Sequence, residues 1–337
     1  MIQIPRTVFR LKKAEEVRES ITEQTQKKVQ QFYKRLKREL AQQIRARGGK
    51  DMNAAQLIML QRDIRNRLQE INQELEQNIT DGMRTTANAV REGTLEMLER
   101  IGFHSEDLES AFLYIPDNVI QNIVTGQIYQ EGWSLSQAIW GHTENFNDKL
   151  SQIVAHGSAS GKSSYEIAKD LETYVNPTEA KQARTIVSWR EATSIDVQMG
   201  RASHVGEKIK DSFYPGRVDY NALRLARTMI SHAYQQSFET MNRNDPFVIG
   251  YRWLTSSFHG RVCDICRGRA ENDSYGLGAG VFPKDALPLD HPNGMCTFEV
   301  VMSDSMKGIA DMIGRWYSSP VGTFPEIDRY ANEFLYM

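Results

Sequence analysis

The sequence predicts a mainly α-helical protein with a long N-terminal helical hairpin and a small C-terminal α+β knob rich in loops. Apolar residues recur at helical spacing in two stretches of the first hundred residues, and the following segment is mostly helical in pattern. Gly, Pro, Cys and Asp become dense only after residue 246. We therefore expect a basic helical hairpin at 1–102, a helical body at 103–245, a Cys/His knob with short strands at 246–303, and a C-terminal helix and tail at 304–337.

The hairpin is predicted from two apolar stripes on either side of the sequence "GGKD" at 48–51. No Gly or Pro interrupts residues 8–47, and both stripes repeat every three or four residues, which is typical of amphipathic helices. The stripes comprise Val29, Tyr33, Leu36, Leu40 and Ile44, and then Leu57, Leu60, Ile64, Leu68, Ile71, Leu75 and Ile79. We expect one helix over 8–47, a second helix with Asp51 as its N-cap, and arms on the order of 60 Å long.

Charge is unevenly distributed along the chain. The net charge is only −2, but the first 50 residues carry 14 Lys and Arg against five Asp and Glu. The N-terminal arm therefore favours an acidic protein surface or nucleic acid as its partner. Two alternatives stay open: docking of the arm to such a partner, and a basic helix face that is merely solvated.

No apolar run approaches the roughly 18 residues of a membrane span, and the start "MIQIPRTVFRLKKAEE" lacks the apolar core of a signal peptide. We expect synthesis in a reducing cytoplasm and no stable membrane span. Three cysteines are an odd number, which does not suit a disulfide framework. In a reducing compartment a CxxC pair is more typical of a metal or redox element.

All three cysteines lie within 34 residues of the knob. Cys263 and Cys266 form a CxxC pair, and His291 and Cys296 follow after 24 intervening residues. A CxxC sets two thiolates on one tight turn, and a distant His/Cys pair can complete a zinc tetrahedron. Zinc ligation by these four residues, reduced and partly buried thiols, and a disulfide formed late in an oxidising setting all stay open.

The sequence "GSASGKSS" at 157–164 is similar to a phosphate-binding loop but does not match its spacing. That loop needs four residues between its two glycines and a preceding strand, whereas only three separate Gly157 from Gly161 and the preceding residues are helical in pattern. The better interpretation is a helix that ends at Gly157, a turn, and a new helix with Ser163 or Ser164 as its N-cap.

The sequence "LDHPNG" that follows the CxxC is similar to HNH-type nucleases, in which an Asp-His pair activates water beside a metal ion. Such a site needs a further His downstream, and His291 is the last histidine of the chain.

A group of polar residues lies on one face of the predicted helix at 221–238. Its members, Arg224, Arg227, Thr228, His232 and Gln235, indicate either a site or, preferably, a hydrogen-bonded seam between domains.

An ordered series of motifs resembles the phage head morphogenesis family, the Mu F-like minor head or minor capsid proteins of tailed bacteriophages. The series runs over about residues 145–303 and reads "LSQIVAHGSASGKSSYEIAKDL", "ALRLARTMISHAYQQSF", "YRWLTSSFHGRVCDIC", "YGLGAGVFP" and "HPNGMC". The positions matching the family's C-terminal knob are Trp253, Cys263, Cys266, His291, Pro292 and Cys296. Many members have a cysteine where this chain has Gly294, and some have an acidic residue where it has Met229, so the resemblance implies no catalytic carboxylate.

The resemblance implies a non-enzymatic minor structural protein of the virion. Such a protein would be bound at the portal, packaged inside the head with other head proteins, and active in assembly or genome delivery. The basic arm then adds packaged double-stranded DNA as an expected contact, and association of the chain with further copies of itself stays open. The alternatives from other classes are a metal-dependent nuclease and a zinc-knob adaptor that binds DNA through its phosphates.

Overall fold

The computed structural model describes residues 7–46, 54–108, 110–129, 132, 134–160, 162, 166–170, 220–256 and 262–335. The protein is mainly helical with a small sheet near its C-terminus, which confirms the predicted fold class. It forms two compact units. We call residues 1–21, 82–121 and 229–337 the knob unit, and residues 22–81 and 122–228 the arm unit. The four segments expected from the sequence stay a prediction.

Two long helices carry the N-terminal stripes, α1 at Lys12–Ala46 and α2 at Ala54–Arg100. At 1.5 Å per residue they are about 50 and 70 Å long. Within the arm unit the predicted apolar positions from Val29 to Ile44 and from Leu60 to Ile79 are all buried. Ion pairs of Arg35 with Glu74 and of Arg67 with Glu39 join the helices in antiparallel order. The predicted N-cap Asp51 and the side chain of Leu57 lie outside the described residues.

The N-terminal helix begins later than the sequence predicts. Residues Val8–Arg10 form strand β1, and the helix begins only at Lys12. The prediction of a helix from residue 8 was therefore wrong. Charged residues with unbranched side chains, which favour a helix, begin after Leu11. Val8 is β-branched and Phe9 is aromatic, and both kinds of side chain favour strands. These residues find a partner strand at the far end of the sequence, where Val8 pairs with Val301.

The sheet contains three further strands, β2 at Val248–Leu254, β3 at Val281–Phe282 and β4 at Thr297–Met302. The strand order is β1-β4-β2-β3, and every neighbouring pair is antiparallel. The short strands predicted for residues 246–303 thus lie within "FVIGYRWL" and "CTFEVVM". Tyr251, Trp253, Phe298 and Val300 are buried in the core of the knob unit.

Short helices complete the knob unit. They are α3 at Ser105–Leu108, the start of α4 at Ile115–Val124, the second half of α6 at Tyr220–Asn242, α7 at Asp264–Glu271 and α8 at Met306–Tyr317. The tail was expected to be irregular, but it forms α9 at Pro325–Tyr330 and a π-helical turn at Ala331–Leu335. Pro325 suits the first turn of α9, and buried Ile327, Tyr330 and Leu335 fix the tail to the core.

Helix α5 at Leu135–Ala159 belongs to the arm unit, and its C-terminal part forms the start of the "LSQIVAHGSASGKSS" stretch. The expected helix end at Gly157 was wrong, because α5 continues to Ala159. A Cβ at Gly157 would lie 2.6 Å from Cγ1 of Ile167, so the glycine permits a close contact within the unit. Gly161, Ser163 and Ser164 lie outside the described residues. None of the described helices is long and apolar enough to cross a bilayer.

Candidate metal centre

The CxxC pair lies at the N-terminus of helix α7. Cys263 is the N-cap residue, with extended backbone angles, and its Sγ accepts a hydrogen bond from the backbone N–H of Cys266 at 3.4 Å. A sulfur here takes the place of the oxygen of a serine or aspartate cap. The free N–H groups of a helix N-terminus favour negative charge, so this position suits thiolates. The helix start therefore presents two sulfurs on one turn.

The second pair of candidate ligands, His291 and Cys296, lies on the loop that leads into β4, which we call the ligand loop. Asp290 is buried and organises this loop with its carboxylate, which accepts from the backbone N–H of His291 at 2.8 Å and of Cys296 at 3.1 Å. One carboxylate therefore positions the backbone of both ligand residues. Supporting hydrogen bonds of this kind fix the orientation of metal ligands.

The tight path of the loop depends on residues 293 and 294. Asn293 adopts a positive φ of 69°, which asparagine tolerates better than most residues, and the N–H of Gly294 donates to the carbonyl of His291 at 2.8 Å. A Cβ at Gly294 would overlap the carboxylate of Asp290. This contact gives a physical reason for the glycine at the position where many members of the resembled family have a cysteine.

The four candidate ligands converge. Nε2 of His291 lies 3.2 Å from Sγ of Cys263 and 3.1 Å from Sγ of Cys266, and Sγ of Cys296 lies 3.2 Å from that of Cys266. They form two overlapping groups that share Cys266, and Asp290 belongs to the second. All three cysteines are free. The cluster of Cys263, Cys266, His291 and Cys296 could hold a metal ion.

The ring of His291 is oriented for such a role. Its Nδ1 lies 2.9 Å from the carbonyl of Pro292, which can only accept, so Nδ1 carries a proton. This leaves Nε2 to face the sulfurs. A metal-binding histidine commonly donates its other N–H to a carbonyl or carboxylate, which fixes the ring and the tautomer.

Protons are shared unequally within the cluster. Hydrogen bonds with Cys266 and then His291 lower the pKa of the Cys263 thiol to about 3. Contacts with Cys263 and Cys296 raise the pKa of Cys266, and the bond to Cys266 lowers that of Cys296. Burial alone would lower the pKa of His291, but Cys263 and the charge of Asp290 raise it to about 9. A metal would therefore displace two weakly acidic protons, one from Nε2 of His291 and one from the thiol of Cys266.

The polar face of α6 supports the loop that carries His291. The ring of His232 bonds the carbonyl of Asp290 at 3.0 Å, while Gln235 donates to the carbonyl of Pro288 and accepts from the N–H of Asp290 at 2.7 Å. Both side chains are buried. Both residues and their partners lie within the knob unit, so the predicted seam between domains stays a prediction. In the arm unit, Arg227 donates instead to Gln26.

One contributor was missed from the sequence. Arg18 of α1 is fully buried and donates to the carbonyls of Cys296 at 2.7 Å and Met295 at 3.0 Å. The sequence does contain a signal for Arg18. When the apolar stripe is continued from Val29 toward the N-terminus at helical spacing, it passes through Thr25 and Thr22 to Arg18. A charged residue at a predicted core position indicates a buried polar partner.

The motifs of the knob unit are neighbours in space. The N–H of Trp253 donates to the carbonyl of Gly280 at 2.8 Å, and its ring packs edge-on against Phe298 at 5.1 Å. The guanidinium of Arg269 lies 4.7 Å from the ring of Trp253 and donates to the carbonyl of Leu289, next to the ligand loop. One core thus joins the tryptophan strand, the CxxC helix and the ligand loop. No family model, curated protein or solved structure matches the chain.

Proposed function

We propose that this protein is a minor structural protein of a tailed-phage head. It would be made in the bacterial host cytoplasm and packaged in the capsid at or near the portal, with a role in head morphogenesis and genome delivery and no chemistry of its own. The observation that carries this proposal is the ordered motif series over residues 145–303. The series includes a helix, a turn, a tryptophan strand, a CxxC and an "HPN" followed by a cysteine.

The arrangement of these motifs supports the proposal. The pieces around Trp253, Cys263 and Cys296 lie up to 43 residues apart in the sequence, yet all of them contribute to the same small core. The "HGSASGKSSYEIA" piece also has a specific contact, that of Gly157 with Ile167.

Within this function the Cys/His cluster would be a structural zinc site. Three thiols and one imidazole nitrogen form a donor set typical of structural zinc, and the Nδ1–H bond of His291 leaves Nε2 directed at the sulfurs. Bound zinc would supply a cross-link whose binding free energy adds to folding. Asp290 orders the loop, and the N-terminus of α7 favours the thiolates. Four protein ligands leave no open coordination position for catalysis.

A DNA contact is the second candidate role, and it has its own observation. Lys27, Lys28, Lys34 and Arg38 are exposed along one side of α1 at helical spacing, and among the described residues none of them has an ion-pair partner. The adjoining Arg35 and Glu39 are instead paired with α2. Unpaired cations in a row suit the phosphates of packaged DNA, and such binding should weaken steeply with salt.

Mass spectrometry of purified virions, before and after removal of DNA, tests the main proposal together with co-purification on a portal ring. We expect the chain in the particle and on the portal, with portal binding that survives high salt. Purified phage that contains none of the chain would overturn the proposal. Plasmid cleavage that requires Mg²⁺ or Mn²⁺ and disappears in His291→Ala would favour the nuclease.

The DNA role is tested separately by charge reversal. Lys28→Glu with Arg38→Glu should abolish most binding of duplex DNA. The matched control is Lys307→Glu with Arg315→Glu, since both residues are exposed on α8 and the change in net charge is the same. Equal loss of DNA binding in both double variants would show that net charge, and not the α1 stripe, governs the contact.

A further inference from the structure

Among the described residues of the knob unit, Arg18 is the most deeply buried cation that no carboxylate balances. Its side chain is fully buried, and its partners are two backbone carbonyls and the ring of Tyr234, which lies 4.4 Å from the guanidinium carbon. Its Nε has no hydrogen-bond partner. The nearby buried Glu15 pairs with Arg10. A buried charge without a counter-charge is costly, so its presence calls for an explanation.

The two carbonyls that Arg18 contacts are those of the ligand loop. One belongs to Cys296 itself and the other to Met295, immediately before it. Strand β4 begins at the next residue, Thr297. Asp290 holds the N–H of Cys296 while Arg18 holds its carbonyl, so both sides of this ligand's backbone are fixed by buried charged groups.

The charge of an occupied site matches that of Arg18. Three thiolates, a neutral imidazole and a divalent ion sum to one negative charge, which is delocalised over the sulfurs. A guanidinium beside the backbone of one thiolate residue then lies close to this negative charge. Metal occupancy would stabilise Arg18 in its buried position, and Arg18 would stabilise the occupied site.

We propose that Arg18 is a positioning residue of the metal centre and that it couples metal binding to docking of residues 12–21 of α1 within the knob unit. This inference rests on the zinc assignment proposed above. Coupling is reciprocal: whatever factor Arg18 adds to metal affinity, the metal adds to the stability of the docked segment.

A zinc titration of the full-length protein by chelator competition tests the coupling. Arg18→Met keeps most of the side-chain volume but removes the charge and both hydrogen bonds, and we expect zinc affinity to fall about 10- to 100-fold. Arg18→Lys keeps the charge and should recover part of the loss. The control is Arg100→Met. The guanidinium of Arg100 also makes a cation–π contact, 5.6 Å from the ring of Phe9, but Phe9 does not touch the ligand loop.

Hydrogen exchange of the wild-type chain gives a second readout that does not depend on a variant folding. Adding zinc should slow exchange at the amides of residues 12–21, and this effect should be lost in Arg18→Met and partly retained in Arg18→Lys. If the wild type binds zinc and these amides do not change, or if Arg18→Met binds zinc as tightly as the wild type, the inference is overturned while the zinc assignment stands. A wild-type chain that binds no zinc overturns both.

Discussion

The arm unit and the knob unit are stabilised in opposite ways. In the arm unit the paired stretches of α1 and α2 bury an apolar side chain at every turn. Each of these side chains stabilises the unit in the same way, by packing. In the knob unit, single residues make contacts that no neighbour could replace. Asp290 accepts hydrogen bonds from the ligand loop, Gly294 leaves space for the carboxylate of Asp290, and Arg18 donates to the last carbonyls of the loop.

This difference predicts how each unit responds to change. A repeated apolar stripe distributes its free energy over many side chains, so a conservative substitution costs little and only a buried charge costs much. A network of buried polar groups concentrates its free energy, because removing one member leaves another without a partner. The following changes test that contrast.

The largest effect is expected from the double substitution Cys263→Ser with Cys266→Ser. Removing two of four zinc ligands should cost about 5 kcal/mol or more of the free energy of unfolding of the knob unit, while the arm helices keep their helicity. Thermal unfolding followed by near-ultraviolet and far-ultraviolet circular dichroism separates the two responses. Stability unchanged to within about 0.5 kcal/mol would reject the cluster as a staple.

The next effect should come from a charge in the stripe. Leu36→Asp and Leu68→Asp each place a carboxylate where the side chain is buried, and we expect a loss of about 4 kcal/mol and disruption of the helix pair. Gln42→Asp and Gln69→Asp are the controls, since both residues are exposed on the same helices. Denaturant titration provides the measurement, and equal losses at buried and exposed positions would contradict the packing of the stripe.

A pH effect of intermediate size is expected from Glu239. Burial raises the pKa of its carboxyl to about 7, although a hydrogen bond from Gln235 opposes the shift. The folded protein therefore holds this proton more tightly than the unfolded chain, so the stabilisation is present below about pH 4.5 and is lost as the pH rises through 7. The loss amounts to at most about 3 kcal/mol.

Glu239→Gln keeps the acceptor oxygen and removes the titration. We expect the variant to be more stable than the wild type at pH 8 and to show a flatter dependence of unfolding free energy on pH. Asp245, whose pKa burial raises to about 6, contributes a residual slope of the same sign. A Glu239→Gln variant whose stability changes with pH between 5 and 8 as the wild type's does would contradict the assignment to Glu239.

The smallest effect should come from Gly294→Ala. The added methyl group must displace the carboxylate of Asp290, which we expect to cost about 1–2 kcal/mol and to weaken metal binding. Gly314→Ala in α8 is the matched control, because a Cβ there meets no atom and alanine favours helix. The comparison is measured by denaturant titration with and without chelator, and a cost that is equal at both glycines would remove the role of Gly294.

Regular periodicity accounts for what could be predicted from the sequence. The hairpin repeats one pattern over many turns, and the strands around Trp253 and Phe298 have clear β-branched and aromatic patterns. Cys263 and Cys266 could also be chosen from their local CxxC spacing, and His291 and Cys296 as the distant His/Cys pair that completes the set. The strand at Val8–Arg10 could not, since three residues carry no period and their strand character depends on a distant partner.

The same limit applies to the support of the metal centre. Asp290 appears in the sequence only as part of a nuclease-like motif, and its structural task depends on hydrogen bonds to residues on both sides of a folded loop. Arg18 is about 280 residues from the loop that it holds. Long-range polar partners of this kind leave at most an indirect trace, such as a charge on an apolar stripe.

The pairing of β1 with β4 has a consequence for synthesis of the chain. Val8 and its partner Val301 are separated by nearly the whole sequence, so at about 5–20 residues per second the ribosome delivers β4 roughly 15–60 s after β1. During that interval the helices can form from local contacts, but the small sheet cannot close. Strand β1 therefore waits for its partner throughout that interval, and a nascent chain exposes the unpaired edge of β1 until β4 has been made.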